Sequence, residues 1–105
     1  MACFGVRGGD VVVDMAVFRG VVNLMLDYPG LDDDAVRLLN EERDVGALSL
    51  DLLGPPIREQ LEPALVWACN AAIAGERSSR SGDDVADADR LMDGGRAVRV
   101  LFDAT

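Results

Sequence analysis

Pro55–Gly75, PPIREQLEPALVWACNAAIAG, is the longest stretch of this sequence that reads as one element, and the rest of the chain is arranged around it. At 100° per residue Ile57, Leu61, Ala64, Leu65, Ala68 and Ala72 fall in one stripe, and Val66, Cys69 and Ile73 in a second stripe beside it. A helix with so wide an apolar arc is expected at the centre of a fold, packed on several sides. Prolines suit its first turn, where their missing N–H has no helical partner anyway, and Gly75 suits a left-handed cap, so a central helix is expected over residues 56–75. Pro63 removes one backbone bond and crowds the carbonyl of Glu59, which predicts a kink or break near Gln60 to Glu62. Trp67 shares the least apolar face of this helix with Pro63, Asn70 and Ala74. The reading favours a neighbouring element covering it, with a half-exposed interface residue as the other reading.

Outward from this helix, 105 residues make one domain, 1–105, large enough for a single core. On the N-terminal side, two β-compatible runs flank Arg7, Gly8, Gly9 and Asp10 and predict a hairpin. Asp14 is expected to cap a first helix over Met15–Asp27. That helix buries Val17, Phe18, Val21, Val22, Met25 and Tyr28 and turns Arg19, Gly20, Asn23 and Asp27 to solvent. Tyr28-Pro29-Gly30 ends it.

Asp32 opens a second helix over Asp33–Asp44 with Asp33 and Asp34 in its first turn, where negative charge is favourable. Its outer arc carries Asp33, Asp34, Arg37, Asn40, Glu41 and Asp44, and Ala35, Val36, Leu38 and Leu39 face inward. The triple aspartate lacks the alternation and the position-six glycine of a calcium loop, so capping explains it. Residues 45–54 fit either a strand or a short helical turn capped by Ser49; the short turn is preferred, and either way its leucines join the core.

On the C-terminal side, Glu76–Asp84 has no apolar residue and reads as a linker loop rather than an anion site. Asp83 and Asp84 then start a helix through Met92, with Asp87, Asp89, Asp93 and Arg90 outward. Asp93-Gly94-Gly95 reads as a turn and 96–102 as a strand pairing with the N-terminal hairpin. The expected fold is therefore α+β: a small antiparallel sheet from the hairpin and the C-terminal strand, with four or five helices around the central one. An all-α bundle is the alternative.

Charge bounds the function. Nineteen acids against ten bases, all arginine, give a net charge of −9, which repels phosphate backbones and favours basic protein surfaces. With no histidine, the commonest general acid–base group and metal ligand is missing, which weighs against an enzyme. Cys3 and Cys69 lie far apart without metal or redox spacing and read as two thiols, Cys69 in the core. No signal-like N-terminus and no run of about 18 apolar residues is present, so a cytoplasmic protein away from the membrane is expected. Scattered carboxylates such as Asp83, Asp84 and Asp87 allow a magnesium site only in principle; no cofactor or metal is expected.

These features predict a non-catalytic, acidic interaction module of the inhibitor, immunity or adaptor type that docks on a basic partner. Its partner-binding candidates are Asp33, Asp34, Arg37, Glu41 and Asp44 on the second helix, Trp67 on the central one, and Asp87 and Arg90 beyond it. A structural subunit of a homo-oligomer and a small carboxylate–metal enzyme are the alternatives.

Overall fold

The computed structural model describes residues 1–80 and 85–103, so Asp83 and Asp84, with the helix start and magnesium site assigned to them, lie outside the described residues. Strands β1 (Ala2–Val6) and β2 (Gly9–Val13) form the expected antiparallel hairpin, with Ala2 opposite Val13 and Val6 opposite Gly9. Its two-residue turn places Arg7 at φ 52° and Gly8 at φ 80°, as a type I′ turn demands. Glycine adopts this conformation readily, whereas an arginine there costs about 1–2 kcal/mol. The turn is held by Asp51, whose two carboxylate oxygens accept from the Arg7 and Gly8 amides at 2.9 and 2.8 Å.

Helix α1 (Met15–Leu26) buries Val17, Phe18, Val21, Val22 and Met25 as expected, and Phe18 stacks at a tilt on Phe4 of β1 with ring centroids 4.8 Å apart. Two expectations for α1 are corrected. Gly20 and Asn23 are buried rather than solvent-facing, because neighbours come down on that side. Asn23, only 4% exposed, accepts from Arg43 Nη1 at 2.9 Å, and a Cβ on Gly20 would lie 2.4 Å from Leu91 Cδ2. Asp14 occupies the cap position without making a side-chain cap bond; its carboxylate is drawn instead into an ion pair with Arg90.

Helix α2 (Asp33–Val45) starts as predicted. Asp32 Oδ1 accepts from the Ala35 amide at 2.9 Å, and Asp32 is also bound by Gln60 through its amide and its second oxygen at 2.9 and 2.8 Å. Gly46, left-handed at φ 87°, closes α2 and hands the chain to β3 (Ala47–Ser49). β3 pairs with β1 in parallel, Phe4 opposite Leu48, so the sheet is mixed with strand order β2-β1-β3 rather than purely antiparallel. A 3-10 turn follows at Leu50–Leu52, so both readings of residues 45–54 are realised in succession, although Ser49 makes no side-chain cap bond. Leu48 and Leu50 enter the core, but Leu52 stays 85% exposed.

Helix α3 (Pro55–Ile73) is the central element, packed against α1 and against α4 (Ala88–Asp103), with α2 and the 3-10 turn also touching it. It buries Leu61, Ala64, Leu65, Ala68, Cys69, Ala71 and Ala72. Its end is a Schellman motif: Glu76 N–H donates to Ala71 O at 2.9 Å and Gly75 N–H to Ala72 O at 3.0 Å, with Gly75 at φ 85°. The break expected near Gln60 to Glu62 does not occur. Pro63 lies on the exposed side, where its ring meets solvent, and packing of Leu61, Ala64 and Leu65 carries the helix past one missing bond.

The C-terminal strand is the main correction. Residues 96–102 belong to α4, and Gly94-Gly95 is helix interior rather than a turn. Leu91, Gly94, Gly95 and Val98 are the buried residues of α4, at helical spacing, with Leu101 and Phe102 half-buried beyond them. A Cβ on Gly94 would sit 2.3 Å from Val17 Cγ1, and one on Gly95 would sit 3.1 Å from both Cys69 O and Ala72 Cβ. The intrinsic cost of helical glycine, about 1 kcal/mol each, is thus set against a close helix–helix approach that a larger side chain would disturb. β3, rather than a C-terminal strand, is the third strand that pairs with the hairpin. The architecture is α+β: among the described residues, four α-helices and a three-stranded mixed sheet share one buried cluster running from Phe4 and Leu48 through Phe18, Met25 and Leu65 to Leu91. No helix among them is long and apolar enough to cross a membrane.

Candidate functional site

Among the described residues the outer face of α3 is left open, and a groove of about 590 Å³ runs along it. Pro63, Trp67 and Asn70 lie on this face and are exposed, as the helical wheel requires, with Val66 half-buried beside them. Trp67 is 38% exposed, so among the described residues no helix or strand fully covers it. One edge of its ring is met by Tyr28, with centroids 5.8 Å apart at 63°. Tyr28 is delivered by the segment after α1, where the Tyr28 amide still donates to Met25 O at 3.0 Å before Pro29 turns the chain away. That same segment reaches Asp32, so the Asp32–Gln60 bonds tie the groove wall, the start of α2 and the start of α3 together.

The opposite wall comes from the hairpin turn and the end of α4. The Arg7 guanidinium stands over the Phe102 ring at 5.2 Å, its Nε donates to Glu62 Oε1 at 3.0 Å and its Nη1 to Phe102 O at 3.5 Å. The left-handed backbone of Arg7, fixed by Asp51, aims this side chain along the groove. Farther along, Asn70 Oδ1 accepts from Arg99 Nη1 at 2.8 Å. At the near end Glu59 lines the groove with no ion pair among the described residues. Its carbonyl also lacks an i+4 donor, because residue 63 is proline. Among the described residues the groove thus brings together three aromatic rings, one internally paired arginine and one carboxylate, Glu59, without an ion pair.

The sequence-derived candidates fall in three places. Asp33, Asp34, Arg37, Glu41 and Asp44 form an exposed acidic face along α2. Trp67 sits in the groove. Asp87 and Arg90 are engaged within the fold: Asp87 Oδ1 accepts from the Arg90 amide at 2.9 Å, and Arg90 is paired with Asp14 at the junction of α1 and α4. The groove residues missed from sequence are Arg7, Tyr28, Glu59, Glu62 and Phe102. Glu59 and Glu62 were within reach, since the wheel that groups Pro63 with Trp67 extends one turn back to them. Phe102 was hidden by the strand reading.

Elsewhere the titratable groups are structural. Burial pushes the Cys69 thiol up to about 12, against a smaller opposing pull from Arg99. The Ala35 amide, with help from Gln60, holds Asp32 below the usual carboxylate range. Both cysteines are thiols, with Cys3 half-buried on β1. In the linker, Arg80 is drawn to Asp27 at 3.0 Å. Among the described residues no three carboxylate or thiol groups converge as metal ligands do. No protein-family model matches this chain, and neither curated proteins nor solved structures give a match.

Proposed function

We propose that this chain is a non-catalytic interaction module that docks on a basic protein surface. The observation that carries it is an open groove containing the half-exposed Trp67 and rimmed by Glu59 and Glu62, in a chain of net charge −9. The acidic face of α2 supplies long-range attraction, which acts on the rate of encounter, and the groove supplies the short-range contact that holds the complex. The test is to capture partners from a lysate of the source cell, purify a captured protein, and measure its association rate against wild type and the variant Glu41→Lys/Asp44→Lys. Lysine late in α2 faces the negative end of the helix dipole, so this variant is expected to fold. A basic partner whose association slows several-fold with the variant and with added salt supports the reading; a rate indifferent to both overturns it.

Self-association is favoured by one observation, the exposure of Val45 and Leu52 on either side of the short edge strand β3. Light scattering over the micromolar range decides it: a dimer abolished by Leu52→Asp supports this second reading, and a strict monomer removes it.

A further inference from the structure

One half of the groove already holds an arginine. Arg7 is seated by an aromatic ring, Phe102, and a carboxylate, Glu62. The other half repeats those parts, an aromatic pair in Trp67 and Tyr28 and a carboxylate in Glu59, without a cation among the described residues. We infer that this half is a receptor for an arginine side chain carried by an extended segment of a basic partner protein, its stem lying against Trp67 and its guanidinium reaching Glu59. The inference rests on the docking function proposed above and names the chemistry of the partner's contact.

The dimensions agree. Glu59 and Trp67 are eight residues apart on α3, a rise of about 12 Å, and the width of the indole takes up part of that interval. An extended arginine side chain covers the remainder, roughly 6–7 Å. From Glu59 to Asn70 the groove is about 16 Å long, enough for roughly five residues of extended chain. Arginine fits better than lysine because its planar, weakly hydrated guanidinium stacks on rings and forks onto carboxylates, whereas an ammonium keeps its water. The Glu59 carbonyl beside Pro63 adds an acceptor for a donor of the bound segment.

Trp67 is the sole tryptophan of the chain, so its fluorescence reports on this half of the groove alone. The probe is acetyl-Gly-Gly-Arg-Gly-Gly-amide, compared with the same peptide carrying citrulline, lysine or leucine at the centre. The arginine peptide is expected to change the Trp67 emission saturably, with a Kd on the order of millimolar. Citrulline and leucine are expected to bind at least fivefold more weakly, lysine about threefold. Glu59→Gln, at an exposed position, is expected to weaken the arginine peptide at least threefold with an unchanged melting curve. No saturable change up to about 20 mM, equal binding of the citrulline, lysine or leucine peptide, or an unaffected Glu59→Gln protein would each overturn the inference. If the peptide fails while association with a basic partner remains sensitive to salt and to the α2 charges, the arginine receptor is wrong and the docking module stands.

Discussion

On its inner side α3 presents Cys69, Ala72 and Ile73 to α4, which answers with Gly95, whereas on its outer side the same helix carries the largest residue of the chain with no helix or strand closed over it among the described residues. The inner seam is close at Gly95, where an added Cβ would lie 3.1 Å from both Cys69 O and Ala72 Cβ. The outer face is made of large, separated groups that leave room between them. The seam is also what places the groove's far wall, since α4 is held close along Gly94 and Gly95 before it delivers Phe102 to Arg7. On the function proposed here, stability and recognition are divided between two faces of one helix, and substitutions on each should differ accordingly.

The largest effect is expected beside the seam, where Gly94 of α4 faces Val17 of α1. Gly94→Leu drives a side chain into Val17, which stands 2.3 Å from the position of a Cβ, and should destabilise by about 3 kcal/mol or more. In thermal unfolding that is a fall of roughly 12 °C or more in Tm. Gly94→Ala should recover most of wild-type stability when combined with Val17→Ala, which removes the obstructing methyls. Equal stability of Gly94→Leu and wild type would mean that α4 does not pack as described.

Next comes the thiol buried in that seam. An ordinary cysteine ionises near 8.5, whereas Cys69 is held protonated up to about 12. A folded pKa raised above the unfolded one gives stability that is complete below the unfolded value and is lost as pH climbs towards the folded one. Wild type should therefore lose stability progressively above about pH 8.5, and Cys69→Ala should show a flatter alkaline limb in urea titrations. With a thiol reagent near neutral pH, Cys69 should react only at the rate of unfolding, unlike the half-buried Cys3.

The division between seam and groove also explains what could be read from the sequence. Elements whose signal is local came out well: the Asp32 cap, the Gly75 end of α3 and the apolar stripes of α1 and α3 depend on residues within a turn or two of each other. The failures concern residues whose meaning lies in a distant partner. Gly94-Gly95 is a turn signal by propensity and becomes helical only because Val17, Cys69 and Ala72 lie against it. Asp14 looks like a cap until Arg90, 76 residues on, takes its carboxylate. In the groove, Trp67 and its face were legible, but Arg7, Tyr28 and Phe102 arrive from three other elements. No periodicity within α3 could have announced them.

Smaller effects test how the groove is assembled. Asp51→Ala removes the acceptor for two backbone amides of the hairpin turn and should cost about 1–2 kcal/mol. It should also speed hydrogen exchange of the Arg7 and Gly8 amides, leaving β3 and α3 protected; unchanged exchange would show that the turn holds without Asp51. Asp32→Ala should lower Tm slightly at neutral pH. Because the Asp32 pKa is depressed by its bonds to Ala35 and Gln60, its contribution is present above the ordinary carboxylate value and lost as pH falls through the folded one. The gap in Tm between wild type and Asp32→Ala should therefore close in acid, and a gap that widens would contradict the assignment.

The smallest effect is the one that separates the two faces most sharply. Glu59 is exposed, makes no ion pair among the described residues and touches no part of the seam, so Glu59→Gln should change unfolding free energy by no more than about 0.5 kcal/mol. A conserved shape with a neutral amide in place of the carboxylate also leaves the groove walls where they are. Urea unfolding followed by far-ultraviolet circular dichroism measures this without relying on Trp67. A loss comparable with that of Gly94→Leu would mean that Glu59 supports the fold, and the outer face of α3 would then belong to stability rather than to recognition. Near-identity with wild type leaves the carboxylate with no structural task, which is the condition under which its position at the mouth of an aromatic groove speaks for a ligand.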